Sequence, residues 1–260
     1  MIKISVITCT YNAAEVLQRT LDSVMGQGWE HIEHIIVDGA SKDGTTEMCE
    51  RYKTCNGERQ TGHVVRIVSE PDRGLYDAMN KGLMLATGDY VVYLNAGDTL
   101  PSEDTLENIS NYVNERSDGR LPAVLYGDTD IVDGNGDYVR GRRLSPPENL
   151  NWKSFRHGML VCHQAFYART DIAQAEPYDL RYRLSADVDW CIRVMKRADR
   201  EGLGLLRLRE VVAHYLEGGM SKRNHRASLF ERFHVMRRHY GLVSTVAMHL
   251  WFVLRAVLKK

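Results

Sequence analysis

Four short apolar runs punctuate the first 98 residues: Ile2 to Cys9, Ile32 to Val37, Val64 to Ser69 and Tyr90 to Leu94. Helical patterns separate them. Ala13 to Met25 gathers Val16, Leu17, Leu21 and Val24 on one face, and Thr45 to Tyr52 and Leu75 to Ala86 follow, the last closed by Gly88. A chain that alternates in this way returns each strand to the same edge through a helix. It can form little other than a parallel sheet with helices on both faces. Such sheets bind ligands beyond the carboxyl ends of their strands. The polar residues Thr10-Tyr11-Asn12, Asp38 and Asn95-Ala96-Gly97-Asp98 stand at those ends.

The second half is less regular. Ala123 to Ile131 and Tyr138 to Arg142 read as a hairpin around Asp133-Gly134-Asn135-Gly136-Asp137. That turn fails as a calcium loop, because Tyr138 takes the glycine position and Leu144 the terminal glutamate position. Pro146-Pro147 marks a loop. Asp187 to Ala198 reads as a helix, Val211 to Tyr215 as a strand, Gly218-Gly219 as a flexible loop and Ala227 to His239 as a helix. A chain of 260 residues suffices for one large α/β domain or one domain with a small appendage. With 43% hydrophobic and 26% charged residues, wholesale disorder is excluded. Five cysteines without a CxxC pair argue against a disulfide framework or structural zinc and for a reducing compartment. No charged segment leads into an apolar one at the start, so no signal peptide is expected.

The 34 basic and 34 acidic residues balance but are unevenly placed. Ser221 to Lys260 holds nine Lys or Arg and a single acid, Glu231, which leaves 25 basic and 33 acidic residues in the first 220. A basic tail on an acidic body points to an anionic partner, lipid headgroups or nucleic acid. Nothing else in the chain supports nucleic acid. Leu242 to Leu258 is apolar but short for a membrane span, and Ser244, Thr245, His249 and Arg255 interrupt it. As a helix it gathers Val243, Val246, Ala247, Leu250, Val253, Leu254 and Val257 on one face. That suits a helix lying in a membrane interface, at the inner face of the cell membrane of a cytoplasmic protein. The alternative packs it on the body or on a second subunit of a homodimer. The expected division is a catalytic domain over 1–220 and a basic, amphipathic helical tail over 221–260.

No GxxxxGK[ST] and no GxGxxG after the first strand occur, which disfavours P-loop and dinucleotide folds. Acids at strand ends instead suit a Mg²⁺ or Mn²⁺ ion that carries a diphosphate. Four stretches in order, Ser5 to Asn12, Val37 to Thr45, Glu70 to Gly82 (EPDRGLYDAMNKG) and Tyr93 to Asp98, resemble glycosyltransferase family 2 with its GT-A fold. The likeness spans about residues 2 to 220 and is nearest to bacterial enzymes of exopolysaccharide, capsule or lipopolysaccharide assembly. It implies a mostly parallel central sheet flanked by helices, with a C-terminal helical extension. It also implies a nucleotide site at Thr8, Thr10, Tyr11, Asp38, Asp77, Asn80 and Lys81. Asp38 equally suits a turn role beside Gly39, and Lys81 a solvated pair with Asp77. Asp77, Asn80 and Lys81 stand at i, i+3 and i+4 and share a helical face.

Asn95-Ala96-Gly97-Asp98 occupies the place of the family's Asp-x-Asp metal motif, which makes Asp98 the main ligand, with Asn95 and the late His214 as further candidates. Ser185-Ala-Asp-Val-Asp-Trp190 resembles the family's Glu-Asp segment, with Ala186 in place of Glu. It implies Asp187 as the base that takes the acceptor proton, with Asp189 as runner-up. His163 and Gln164 would line the acceptor or sugar side, and Lys222 and Arg223 would neutralise the leaving diphosphate. The resemblance implies transfer from a UDP- or GDP-linked sugar to a lipid-linked or oligosaccharide acceptor. A sugar nucleotidyltransferase and a non-catalytic binding subunit are the rival readings.

Overall fold

Strand β1 (Ile4–Thr10) is buried at every position, as a strand covered on both faces must be. It pairs in parallel with β2 (Ile32–Asp38) and β4 (Tyr90–Tyr93), and β3 (Val64–Ser69) joins β2, again in parallel. The computed structural model describes residues 1–116, 119–218 and 224–258, without the side chains of 225, 253 and 255–258. Beyond β4 the sheet becomes antiparallel through β7 (Phe166–Arg169), which pairs with β5 (Val124–Val132). Along its other edge β5 carries β8 (Leu205–Leu216) in parallel, so β6 (Tyr138–Gly141) takes the stretch of β5 that β7 leaves. The eight strands form one mixed sheet in the order β3-β2-β1-β4-β7-β5-β6, with β8 on β5.

Helices cover both faces. Leu17 and Leu21 of α1 (Ala14–Met25) meet Ile36 of β2 and Cys49 and Tyr52 of α2 (Thr45–Arg59). Ile35 and Val37, one residue either side in β2, turn to the opposite face and the larger core. There α3 (Leu75–Leu85) lies so close to β1 that a Cβ on Gly82 would stand 2.5 Å from Ile7 Cγ2. Next come α4 (Thr105–Arg116), α5 (Thr170–Gln174), α6 (Ala186–Arg200), α7 (His225–Tyr240) and α8 (Leu242–Leu258).

The hairpin of β5 and β6 falls where the turn chemistry expects it. α4, β7 and α5 were not legible, α2 runs past Tyr52 to Arg59, and β8 begins at Leu205 rather than Val211. The segment expected as a tail packs on the body through α7. Val235 of α7 belongs to the main core, His239 bonds Asp189 of α6 (2.8 Å), Arg238 bonds Asp179 (2.9 Å), and the Tyr240 ring stacks on Trp152.

Candidate active site

A cavity of about 920 Å³ opens at the carboxyl end of β1, bounded by the turn into α3, by residues 180–184 and by Asn224. Thr10 and Tyr11 reach it from β1, and the Tyr11 ring is 64% exposed, free to lie against a planar ligand. Asp72 and Arg73 face it from the turn. Gly39 is the hinge of this contact, since a Cβ there would stand 2.7 Å from Asp72 Oδ2 and 3.1 Å from the Tyr11 ring. Asp72 Oδ1 accepts from the Gly74 N–H (2.8 Å), which fixes the turn before α3. Asp77 also lines the cavity, but both its oxygens are held by Arg73, through N–H (3.0 Å) and guanidinium (2.8 Å). Arg73 thereby keeps the Asp77 carboxyl below its usual range. Asp72 and Arg73 carried no sequence-based role, although they lie inside the Glu70-to-Gly82 stretch that had already drawn attention.

Deeper in, five expected residues converge. Asp187 opens α6 and accepts from Tyr76 OH (3.2 Å) and from the Val188 N–H (2.9 Å) through Oδ1. Its Oδ2 lies 3.6 Å from His163 Nδ1, an electrostatic contact longer than a hydrogen bond. The other ring nitrogen of His163 meets the Asn95 amide nitrogen at 3.1 Å. With that amide as donor, Nε2 accepts and Nδ1 carries the proton facing Asp187. Burial pushes the Asp187 carboxyl up, but His163, Arg232 and the Val188 N–H outweigh it and hold it below the usual value, hence ionised. Asp98 is 4% exposed and accepts from Gln164 Nε2 (2.7 Å) and the Leu216 N–H (2.9 Å). Burial raises it to about 6. Gly97 makes this turn possible, with φ of 98° and Leu216 packed where a Cβ would stand.

Tyr76 joins the two regions, since it lines the cavity and touches Asp187. Tyr215 adds a further residue. Burial pushes its phenol up to about 12, and the Asp98 and Asp187 carboxylates add to the effect.

Other expected positions lie elsewhere. Thr8 is fully buried. Its hydroxyl donates to Leu94 O (2.8 Å) and meets His34 Nε2 (2.9 Å), which removes it from any ligand. Asp38 is also fully buried and accepts from the Ser41 N–H and hydroxyl, Thr46 and Ser69. Those four donors fill a carboxylate's capacity, so Asp38 organises the turn, as its place beside Gly39 allowed. Asn80 clamps Tyr178 through both backbone groups (3.0 and 2.7 Å) and faces away from the cavity. Lys81 pairs with Glu70 (2.9 Å) and Pro71 O (2.8 Å), neither with Asp77 nor into the cavity. His214 exchanges two backbone hydrogen bonds with Thr99 (3.0 and 2.8 Å), the residue after Asp98, and Asp130 and Arg19 act on its ring. Burial keeps it below its ordinary value. Lys222 and Arg223 lie outside the described residues.

Among the described residues no three His, Cys, Asp or Glu side chains gather as a metal cluster. Asn95 Oδ1 is buried without a hydrogen-bond partner, an acceptor left open in the same turn as Asp98.

The chain is 35% identical over 219 residues to a PGL/p-HBAD biosynthesis glycosyltransferase of Mycobacterium bovis, covering 84% of this chain and 78% of that one. It is 29% identical to the amylovoran biosynthesis glycosyltransferase AmsB of Erwinia amylovora, over 82% and 69% of the two chains. Among solved structures, S. aureus TarS 1-349 in complex with UDP-GlcNAc superposes with a TM-score of 0.68 at 19% identity, over 90% of this chain and 64% of that one. The mannosyltransferase PcManGT from Pyrobaculum calidifontis, in complex with GDP-Man and Mn²⁺, gives 0.59 at 19% identity, over 96% and 64%. This chain therefore spans a little under two thirds of those structures, which share its GT-A fold. The model of Glycosyl transferase family 2 matches residues 5–174, and the chain belongs to that family.

Proposed function

We propose that the chain is an inverting glycosyltransferase that moves a sugar from a nucleoside-diphosphate donor to a hydroxyl of a bacterial surface glycan. One observation carries the reading. An ionised Asp187 at the start of a helix is linked through Tyr76 to a cavity at the carboxyl ends of parallel strands. The cavity suits the nucleotide, with Tyr11 against the base and Asp72 Oδ2 as acceptor for a base N–H, as uracil or guanine would offer. UDP- and GDP-linked donors both fit that chemistry.

Asp187 takes the proton of the acceptor hydroxyl as its oxygen attacks C1 of the sugar. The bond from C1 to the diphosphate oxygen breaks on the opposite face, and the configuration inverts. A base kept ionised is weak, so proximity supplies most of its effect. His163 holds the carboxylate in place. Lys222 and Arg223 supply positive charge for the departing diphosphate. A divalent ion bound with the donor would be held by Asn95 and Asp98 and would neutralise that diphosphate. The acceptor in this reading is an oligosaccharide or lipid-linked glycan at the cytoplasmic membrane face.

Transfer from UDP- and GDP-sugars, together with thermal shift against the free nucleotides with and without Mn²⁺, tests the proposal. One nucleotide is expected to raise the melting temperature. Asp187→Asn is expected to keep that shift while losing about 10² or more in kcat. An Asp187→Asn protein with full transferase rate would refute the base assignment.

A further inference from the structure

Helix α8 is turned inside out for a helix in water. Its inward side is partly polar: Thr245 is fully buried and bonds Gly241 O, and the half-buried His249 ring packs edge-on against Phe233 of α7 at 5.0 Å, with Met248 and Phe252 half-buried beside it. Its apolar stripe points outward. Val243 is 85% exposed, Leu250 61% and Leu254 55%, with Val246 and Trp251 beside them. The outward side of α7 continues the surface. Arg226, Phe230 and Arg237 stand at i, i+4 and i+11 on one helical face, all exposed, with Phe233 among them meeting α8. A continuous exposed apolar stripe rimmed by arginine marks an interaction site.

We infer that α8 and the outward face of α7 form a seat for an anionic lipid surface, with α8 lying in the plane of the interface. Charge selects this occupant over a second copy. Arg226 and Arg237 stand exposed on this face, while Glu231, the one acid of 221–260, is turned to the Leu184 N–H, so a twofold contact through this face would set arginine against arginine. Anionic headgroups would instead neutralise them. The 17 described residues of α8 reach about 25 Å, and no described helix is long and apolar enough to cross a membrane. Asn224, which lines the donor cavity, immediately precedes α7. Seating this face therefore brings the cavity mouth within about 24 Å of the lipid, one length of α7. The inference rests on the membrane-proximal reading of the acceptor.

Flotation of the full chain with phosphatidylcholine vesicles, with and without phosphatidylglycerol, needs neither donor nor acceptor, so its failure is separable from a failure of the transferase reading. The protein is expected to float about tenfold more with the anionic vesicles and to be released by salt. The double variant Val243→Glu/Leu250→Glu is expected to lose about tenfold of that binding at an unchanged melting temperature. Trp251 keeps the test independent of that variant: its emission shifts to the blue on anionic vesicles, and Trp251→Phe loses the shift. The inference is overturned if the wild-type chain stays free of anionic vesicles, if the double variant binds equally, or if the wild-type chain is a dimer that the double variant dissolves.

Discussion

Glu231 is the one acid in the basic C-terminal segment, and the structure gives it a specific task. Its carboxylate accepts from three successive backbone N–H groups: Arg183 (3.0 and 3.1 Å), Leu184 (2.7 Å) and Ser185 (3.1 Å). These donors lead directly into α6, whose Ser185 makes no side-chain cap and donates its hydroxyl to Ser228 O on α7 instead. Glu231→Ala removes the acceptor of all three donors. Hydrogen bonds to a charged group contribute about 1.5–3 kcal/mol each. Glu231 is half-buried, so water recovers part of this, and about 1 kcal/mol per donor, roughly 3 kcal/mol in all, is the reasonable loss. For a domain of this size that lowers the melting temperature by about 6 °C. Glu231→Gln keeps one acceptor oxygen and is expected to lose about half as much. Asp187 lies two residues beyond the released N–H groups, so kcat is expected to fall about tenfold in the Ala variant, about 1.4 kcal/mol of barrier. Differential scanning fluorimetry and initial-rate kinetics on the three proteins measure both quantities. A Glu231→Ala protein with wild-type melting and wild-type kcat would show that the carboxylate neither orders this entry nor positions the base.

Two further outcomes follow from the cavity and the buried polar chain. Asp72→Asn keeps the bond to the Gly74 N–H but removes the charge beside Tyr11, so nucleotide affinity by calorimetry is expected to drop about tenfold with melting unchanged; unaltered affinity would remove Asp72 from base recognition. His34 is held between Thr8 and Tyr52, and burial lowers it to about 3. The unfolded chain protonates this ring below about pH 6.5 and the folded chain does not, so stability falls as pH drops from 6.5 towards 3. At pH 4.5 the loss is about 3 kcal/mol, read from urea unfolding as the extra pH sensitivity of the wild type over His34→Gln; equal sensitivity in the two would place the ring's protonation outside this range.

The strand–helix alternation made the parallel half of the sheet legible, because period and turn chemistry are local. It also put Asn95 and Asp98 at a strand end, whereas His163, Gln164 and Asp187 came from the family resemblance and meet them only through the tertiary fold. Side-chain directions were the least legible part. His214 and Tyr215 differ by one residue, and one residue in a strand reverses the face. β8 carries register shifts where it passes Tyr126 to Thr129, so no count along the sequence could fix which one faces Asp98. Asn80 shares a helical face with Asp77, but its partner is a backbone 98 residues away. For α8 the periodicity gave the stripe and not the side it presents, because a stripe is equally apolar whether it meets a core or a lipid.

The start of α6 gathers three carboxylates, and sequence alone could rank Asp187 above Asp189 only by resemblance. Partner counting separates them physically. Asp189 is fully buried, with Arg193 on one oxygen (2.6 Å) and His239 on the other (2.8 Å), so it has no access to a substrate proton. Glu231 is committed to the backbone of the helix entry. Asp187 is the least firmly held: one phenol at 3.2 Å, its own helix N–H, and a histidine at 3.6 Å that leaves acceptor capacity on Oδ2. The two spectators still matter to it. Each fixes α7 against α6, and α7 carries Arg232, whose charge helps keep Asp187 ionised. A helix that sequence assigns to a membrane tail is thus built into the electrostatics of the base. Truncation before residue 224 is therefore expected to impair catalysis in detergent and on vesicles alike, where loss of a simple anchor would impair it only on vesicles.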